Sequence, residues 1–311
     1  MIVLAIIVFG FIGYKTDWNK TMQSIKDANY MMIGLGSIIM LGAHFLRAYR
    51  WSMLTETANF KLNHRRTFYS VMAGYLVNAA TSRGGEVVRC ALTTKSEKVP
   101  LEILIGTVIT ERIVDLIFMV LLAILCLFVQ FDQFFVFANQ YVFTPVINNL
   151  WILIFIPILV VIGIFVYKKL IKGSKNNQDS LLGRLLTGLK SIFLVKKKPL
   201  FVVVSFSIWL GYWGGMYFQL QALGITEHFT VANALGILIF SAIGVVIPLP
   251  GGAGVWAVIA YGLEFIYQMN HDQAQTFGIF NIAFSNIFHI LIGAICYLLL
   301  FIEIQKLDAK K

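Results

Sequence analysis

Arg83, Glu86 and Arg89 recur at intervals of three within Arg83-Gly84-Gly85-Glu86-Val87-Val88-Arg89. On a helix that spacing puts all three on one face. Guanidinium pairs with phosphate through two parallel hydrogen bonds, so this set suits an anionic headgroup. The competing reading is an internal Arg-Glu-Arg ion-pair network that only locks the local structure. Gly84 and Gly85 permit a tight turn just before the helix starts. A helix N-terminus there adds free N–H groups and a partial positive charge.

Glu111, Arg112 and Asp115 form a second set. Glu111 and Asp115 are four residues apart on one face, and Asp115 lies roughly 18 Å from the start of its apolar run. Ionisable groups at such depth are functional candidates by default, either as partners of Arg83 or Arg89 or as proton carriers. A third set, Pro248-Leu249-Pro250-Gly251-Gly252-Ala253-Gly254, carries no charge. Its prolines stop one helix, and Gly251, Gly252 and Gly254 open the next. It is either the backbone wall of a site or an architectural turn. Glu264 is the only acid in the run that follows. Asn78 and His289 read as isolated packing residues. His44, Arg47, Arg50 and Trp51 end an apolar run and read as membrane-interface anchors, with headgroup contact as the other use of Arg50.

These sets are embedded in a very apolar chain. Of its 311 residues, 59% are hydrophobic and 13% charged, against about 25% charged in a soluble domain. Mean hydropathy is +0.80. The fold class is an all-α polytopic membrane protein. Full spans read at 1 to 13, 31 to 47, 103 to 129, 150 to 167, 199 to 221 and 277 to 302. Two further apolar pairs, 67 to 100 and 231 to 268, contain the polar breaks.

Loop charge supplies the orientation. Residues 47 to 66 hold Arg47, Arg50, Lys61, Arg65 and Arg66, the linker 168 to 198 is strongly basic, and the tail adds Lys306, Lys310 and Lys311. Residues 130 to 149, 222 to 230 and 269 to 276 contain no Lys or Arg. The positive-inside rule puts the first group, with both termini, in the cytoplasm. The pair 67 to 100 then has cytoplasmic flanks on both sides, so it enters and returns, whereas 231 to 268 does the same from outside. About six full spans plus two re-entrant helical hairpins make eight apolar segments in an inverted-topology repeat. Its halves are about 1 to 130 and 150 to 302 of one domain, 1 to 311. Exposed backbone at membrane depth is tolerated only inside protein or along a cavity. Matching breaks in two halves point to a transport site.

Other classes fall away. The net charge of +10 follows from membrane topology and does not indicate nucleic-acid binding. Cys90, Cys126 and Cys296 have neither disulfide nor metal spacing. No phosphate-binding loop, Ser-His-Asp set or cofactor motif is present. In the linker, Leu181, Leu182, Leu185, Leu186, Leu189, Ile192 and Phe193 recur at helical spacing, which reads as a surface helix or a plain basic loop. The run 2 to 13 is short for a span and lacks signal-peptide features.

The ordered set Arg47-Ala48-Tyr49-Arg50-Trp51, Asn78, Arg83-Gly84-Gly85-Glu86, Arg89, Glu111-Arg112, Asp115 and Pro250-Gly251-Gly252-Ala253-Gly254 carries a resemblance. It is similar to the flippase-like transmembrane domain of bacterial lysylphosphatidylglycerol synthases, the N-terminal part of the multiple peptide resistance factor. The resemblance covers nearly the whole chain and implies transbilayer movement of a lipid, in the best-known member an aminoacylated phosphatidylglycerol. Two departures stand out. The aminoacyl-transferase domain is absent, so lysine transfer is not expected. Val255-Trp256 follow Gly254 where the family often has an acid.

The resulting expectation is a non-enzymatic lipid flippase of the cytoplasmic membrane. It moves an anionic or aminoacylated phospholipid, or a lipid-linked intermediate. Arg83, Gly84, Gly85, Glu86, Arg89, Glu111, Arg112, Asp115, Asn78, Arg50, Pro250, Gly251, Gly252 and Gly254 are its candidate substrate-binding residues. No metal or cofactor is expected, and the partner is a membrane phospholipid. A secondary transporter of a small anion, and a non-transporting partner of a lipid-modifying enzyme, are the alternatives.

Overall fold

The computed structural model describes residues 17–81, 84–139, 191–247 and 249–309. Those residues are helical, without a strand among them. The spans read at 31, 103, 199 and 277 are α2 (Tyr30–Glu56), α5 (Leu101–Val129), α8 (Lys198–Ala222) and α11 (His271–Asp308). All four are long and apolar enough to cross a membrane. The segments read at 1 to 13 and 150 to 167, and the linker as far as residue 190, lie outside the described residues. The linker's described end is α7 (Ser191–Leu194).

Local chemistry sets the helix starts. Asn29 caps α2 by accepting from the Met31 and Met32 N–H groups, and Asn63 caps α3 (His64–Ala80) in the same way. Such caps satisfy N–H groups that no intrahelical carbonyl can reach. Thr230 and Asn233 form a reciprocal capping box on α9 (Val231–Val246). Two loops of the sequence reading turn out to be partly helical. The stretch 14 to 30 contains α1 (Trp18–Lys26), capped by Asp17 and tied to α11 by a Thr21–Thr276 hydroxyl hydrogen bond of 2.9 Å. The stretch 130 to 149 begins with α6 (Phe131–Ala138).

α3 and α4 (Gly84–Glu97) fold back on each other. At their open end the Asn63 N–H donates to Glu97 Oε2 at 3.4 Å; near the tip the Gly85 N–H donates to Asn78 Oδ1 at 2.9 Å. The arms cross at Gly74 and Gly85, where a Cβ on Gly85 would collide with the Gly74 carbonyl. The expectation that Gly84 and Gly85 make the turn is corrected. Both lie in the first turn of α4, and the structural demand on Gly85 is close backbone approach.

α9 and α10 (Ala253–Phe265) form a second reversal around the 3-10 turn Pro250–Gly252. Gly251 and Gly252 have φ of 65° and 81°, a region that glycine enters without steric penalty. This hairpin also crosses on glycine, since a Cβ on Gly254 would sit 2.7 Å from the Gly244 carbonyl oxygen. α2 packs along α8, α3 along α11, and α5 against α9. The Pro250–Gly252 turn rests on α3 and α11, so the two hairpins touch. Asn286 of α11 holds the turn by donating to the Gly251 carbonyl at 2.9 Å. Ile117, Leu121 and Phe128 of α5, with Leu291 and Leu298 of α11, are left exposed as an apolar surface.

Candidate functional site

α2, α4 and α5 bring their charged residues to one place. Glu111 is fully buried; its Oε1 accepts from Arg47 Nε at 2.6 Å, and its Oε2 from Arg89 Nη2 at 2.9 Å. Arg50, also fully buried, reaches Asp115 Oδ1 at 2.6 Å and Glu111 Oε1 at 3.5 Å through Nη2. Arg47 Nη2 lies 3.5 Å from Asp115 Oδ2, and Arg47 Nη1 donates to Tyr75 at 2.9 Å and Tyr212 at 3.4 Å. Arg112 Nη2 pairs with Glu86 Oε1 at 2.7 Å.

Among the described residues four guanidiniums (Arg47, Arg50, Arg89, Arg112) therefore face three carboxylates (Glu86, Glu111, Asp115), leaving one positive charge in excess. Some donors remain unsatisfied: Arg50 Nε, Arg50 Nη1 and Arg89 Nε are buried without a hydrogen-bond partner. A buried, unpartnered guanidinium N–H favours an acceptor arriving from outside. Glu111 is ten residues from Leu101, or about 15 Å along α5. That is about half the thickness of a bilayer's hydrocarbon core.

The expectation that Arg47, Arg50 and Trp51 are interface anchors is corrected. α2 continues to Glu56, so these residues lie well inside the helix and are buried. Trp51 is fully buried, its indole N–H donates to Thr107 Oγ1 at 2.9 Å, and the Arg89 guanidinium lies over its ring at 4.7 Å. Glu86 and Arg89 do not pair with each other as the internal Arg-Glu-Arg network required; each reaches across to α5. Asn78 caps α4 and is not isolated. His289 is not isolated either, because its Nε2 lies 3.1 Å from His44 Nε2. Arg83 and Pro248 fall outside the described residues.

A cavity of about 20 Å³ is lined by Arg47, Val71, Gly74, Tyr75, Asn78, Gly85, Glu86, Arg89 and Arg112. That volume holds about one water. The structure brings Asn78, Gly85, Glu86, Arg89 and Arg112 to this cavity, with Arg50, Glu111 and Asp115 as ion-pair partners behind it. Pro250, Gly251, Gly252 and Gly254 do not line it; they form the contact of the second hairpin with α3 and α11. Glu264, at the far end of α10, pairs with His271 at 2.8 Å.

The cavity has one edge that is not sealed. Arg112 keeps 42% of its side chain exposed and Glu86 31%. The residues around that pair, Val87 on α4 and Ile109, Ile113 and Leu116 on α5, are exposed apolar side chains. The charge cluster thus emerges sideways onto an apolar surface.

The family model described as lysylphosphatidylglycerol synthase TM region matches residues 1–293. Over 100 residues the chain is 24% identical to a UPF0104 membrane protein of Methanocaldococcus jannaschii, a stretch covering 31% of this chain and 30% of that protein. The matched stretch thus spans about a third of that relative. No solved structure matches the chain.

Proposed function

The chain belongs to the lysylphosphatidylglycerol synthase TM region family, and from that premise we propose that it moves an anionic or aminoacylated phospholipid across the cytoplasmic membrane. The observation that carries this reading is the sideways emergence of the Glu86–Arg112 pair among Val87, Ile109, Ile113 and Leu116. A lipid needs a polar path for its headgroup beside an apolar path for its tails, and the two run side by side here. Arg112 is the entry cation. Its guanidinium is half-exposed and held by one short carboxylate contact, Glu86 at 2.7 Å, so an arriving phosphate competes with Glu86 for the same donors. The unpartnered N–H groups of Arg89 and Arg50 lie deeper and draw the headgroup inward once α4 and α5 part. Glu111 and Asp115 keep the arginines in place. The match is to a transmembrane region. The two glycine-crossed hairpins are counterparts in an inverted repeat, with both chain termini in the cytoplasm.

The test uses the purified chain in vesicles containing a fluorescent anionic phospholipid, with outer-leaflet quenching to follow exchange. Arg112→Gln is expected to lower exchange at least tenfold while the protein stays folded. Full activity in that variant sinks the site assignment.

The water-sized cavity supports a second reading, secondary transport of a small inorganic anion. Anion efflux from loaded vesicles, with no lipid exchange, would establish that reading instead.

A further inference from the structure

The α2–α8 and α3–α11 pairs are bridged by a polar contact that the lipid pathway does not use. His44 of α2 and His289 of α11 face each other, Nε2 to Nε2, at 3.1 Å. α2 and α11 are not packing partners along their lengths, so these side chains reach between separate helix pairs. A hydrogen bond between two Nε2 atoms needs one ring to donate and the other to present a bare lone pair. The contact therefore requires at least one neutral imidazole. His44 Nδ1 is buried and has no partner, so nothing pins its ring in one tautomer.

The groups around the pair are few. Tyr75 of α3 stacks on His289 with centroids 4.6 Å apart and planes at 14°, and meets the His44 ring at 4.5 Å. The rings of Tyr212 on α8 and Phe288 on α11 lie 5.8 Å and 6.4 Å from that of His44. The charged neighbour is Arg47, joined to Tyr75 and Tyr212 through its Nη1 and to Glu111 and Asp115 of α5 through its other nitrogens. Both oxygens of Glu111 and of Asp115 are already engaged by guanidiniums. The imidazole pair has no carboxylate in contact among the described residues.

We propose that the His44–His289 pair is a proton-binding site that couples proton uptake to opening of the headgroup site. This rests on the lipid-translocation reading. One proton from the aqueous phase turns the neutral pair into an imidazolium and an imidazole. The new charge lies one tyrosine away from Arg47, in a cluster that already carries a surplus positive charge. Separation of α11 from α2 relieves the repulsion. Asn286, one turn earlier on α11, then pulls on the Gly251 carbonyl, so the tip of the second hairpin moves with it. The neutral pair holds the closed state and the protonated pair the open one.

The experiment measures exchange of the fluorescent anionic phospholipid by the full chain in vesicles between pH 4 and 8, with equal pH on both sides. Proton uptake by the purified chain is followed in parallel. Wild type is expected to change rate at least fivefold across that range, and His289→Gln and His44→Gln to flatten the profile. A wild-type rate constant within twofold overturns the proton site and leaves the lipid reading intact. An unchanged pH profile in both variants does the same. If the variants fail to fold, histidine nitrogen resonances of the wild-type chain decide: one ring of the pair passing between neutral and doubly protonated in this range supports the site, and two rings that do not titrate refute it. A wild type that exchanges no lipid at any pH overturns the lipid reading and this inference together.

Discussion

Glu111→Gln is the sharpest perturbation of the charge cluster, because it keeps the shape of the side chain and removes one charge. Glu111 is fully buried and holds Arg47 at 2.6 Å and Arg89 at 2.9 Å, with Arg50 at 3.5 Å. The cluster goes from four cations and three anions to four and two, so its surplus doubles. Removing one partner of a buried ion pair costs about 3–5 kcal/mol. At roughly 2 °C per kcal/mol for a chain of this size, apparent Tm in detergent should fall by about 6–10 °C. Tryptophan fluorescence suits the assay, since Trp51 lies against Arg89. The companion variant is Arg89→Gln in the Glu111→Gln background, which returns the count to three cations and two anions. If charge balance is what matters, the double variant loses less than the sum of the singles by about 1 kcal/mol or more. A Tm for Glu111→Gln within 2 °C of wild type, or strict additivity, would refute the reasoning.

Other expectations follow from contacts already described. Gly85→Ala drives a methyl group into the Gly74 carbonyl; it should destabilise by about 1–3 kcal/mol and lower Tm accordingly, and a neutral result would show that the hairpin arms are not held so close. Trp51→Phe removes the hydrogen bond to Thr107 and weakens the ring under Arg89, for a loss of about 1–2 kcal/mol, measurable as a Tm shift of a few degrees. Asn286→Leu strips the donor from the Gly251 carbonyl; the expected result is faster proteolysis at the turn, with the rest of the chain as protected as in wild type.

The described helices and the two reversals were legible because hydropathy reports length and the polar breaks report where the chain turns back. α2 was legible only in its first two thirds. Arg47, Arg50 and Trp51 end the apolar run, and a pattern that tracks hydropathy reads the first charges as the water boundary. The helix instead runs on to Glu56, and what makes this tolerable is Glu111 and Asp115 on α5, more than sixty residues away. The spacing of Glu111 and Asp115 did foretell that they share a face. Nothing local foretold His44 beside His289, at a separation of 245 residues. The role of Gly85 was misjudged because sequence shows that a glycine is present and not whether the missing Cβ or the free φ is being used.

The short hairpin of α3 and α4 bears on how the chain is made. Its arms have 17 and 14 residues, below the roughly 20 needed for a helix to settle in a bilayer alone. α4 carries Glu86 and Arg89 into that setting, and their counter-ions on α5 emerge from the ribosome only afterwards. α3 packs most extensively on α11, which is synthesised long after it. The first hairpin is therefore fully packed only once α11 has joined it. A truncated chain lacking α11 would leave that hairpin without the helix it packs on most.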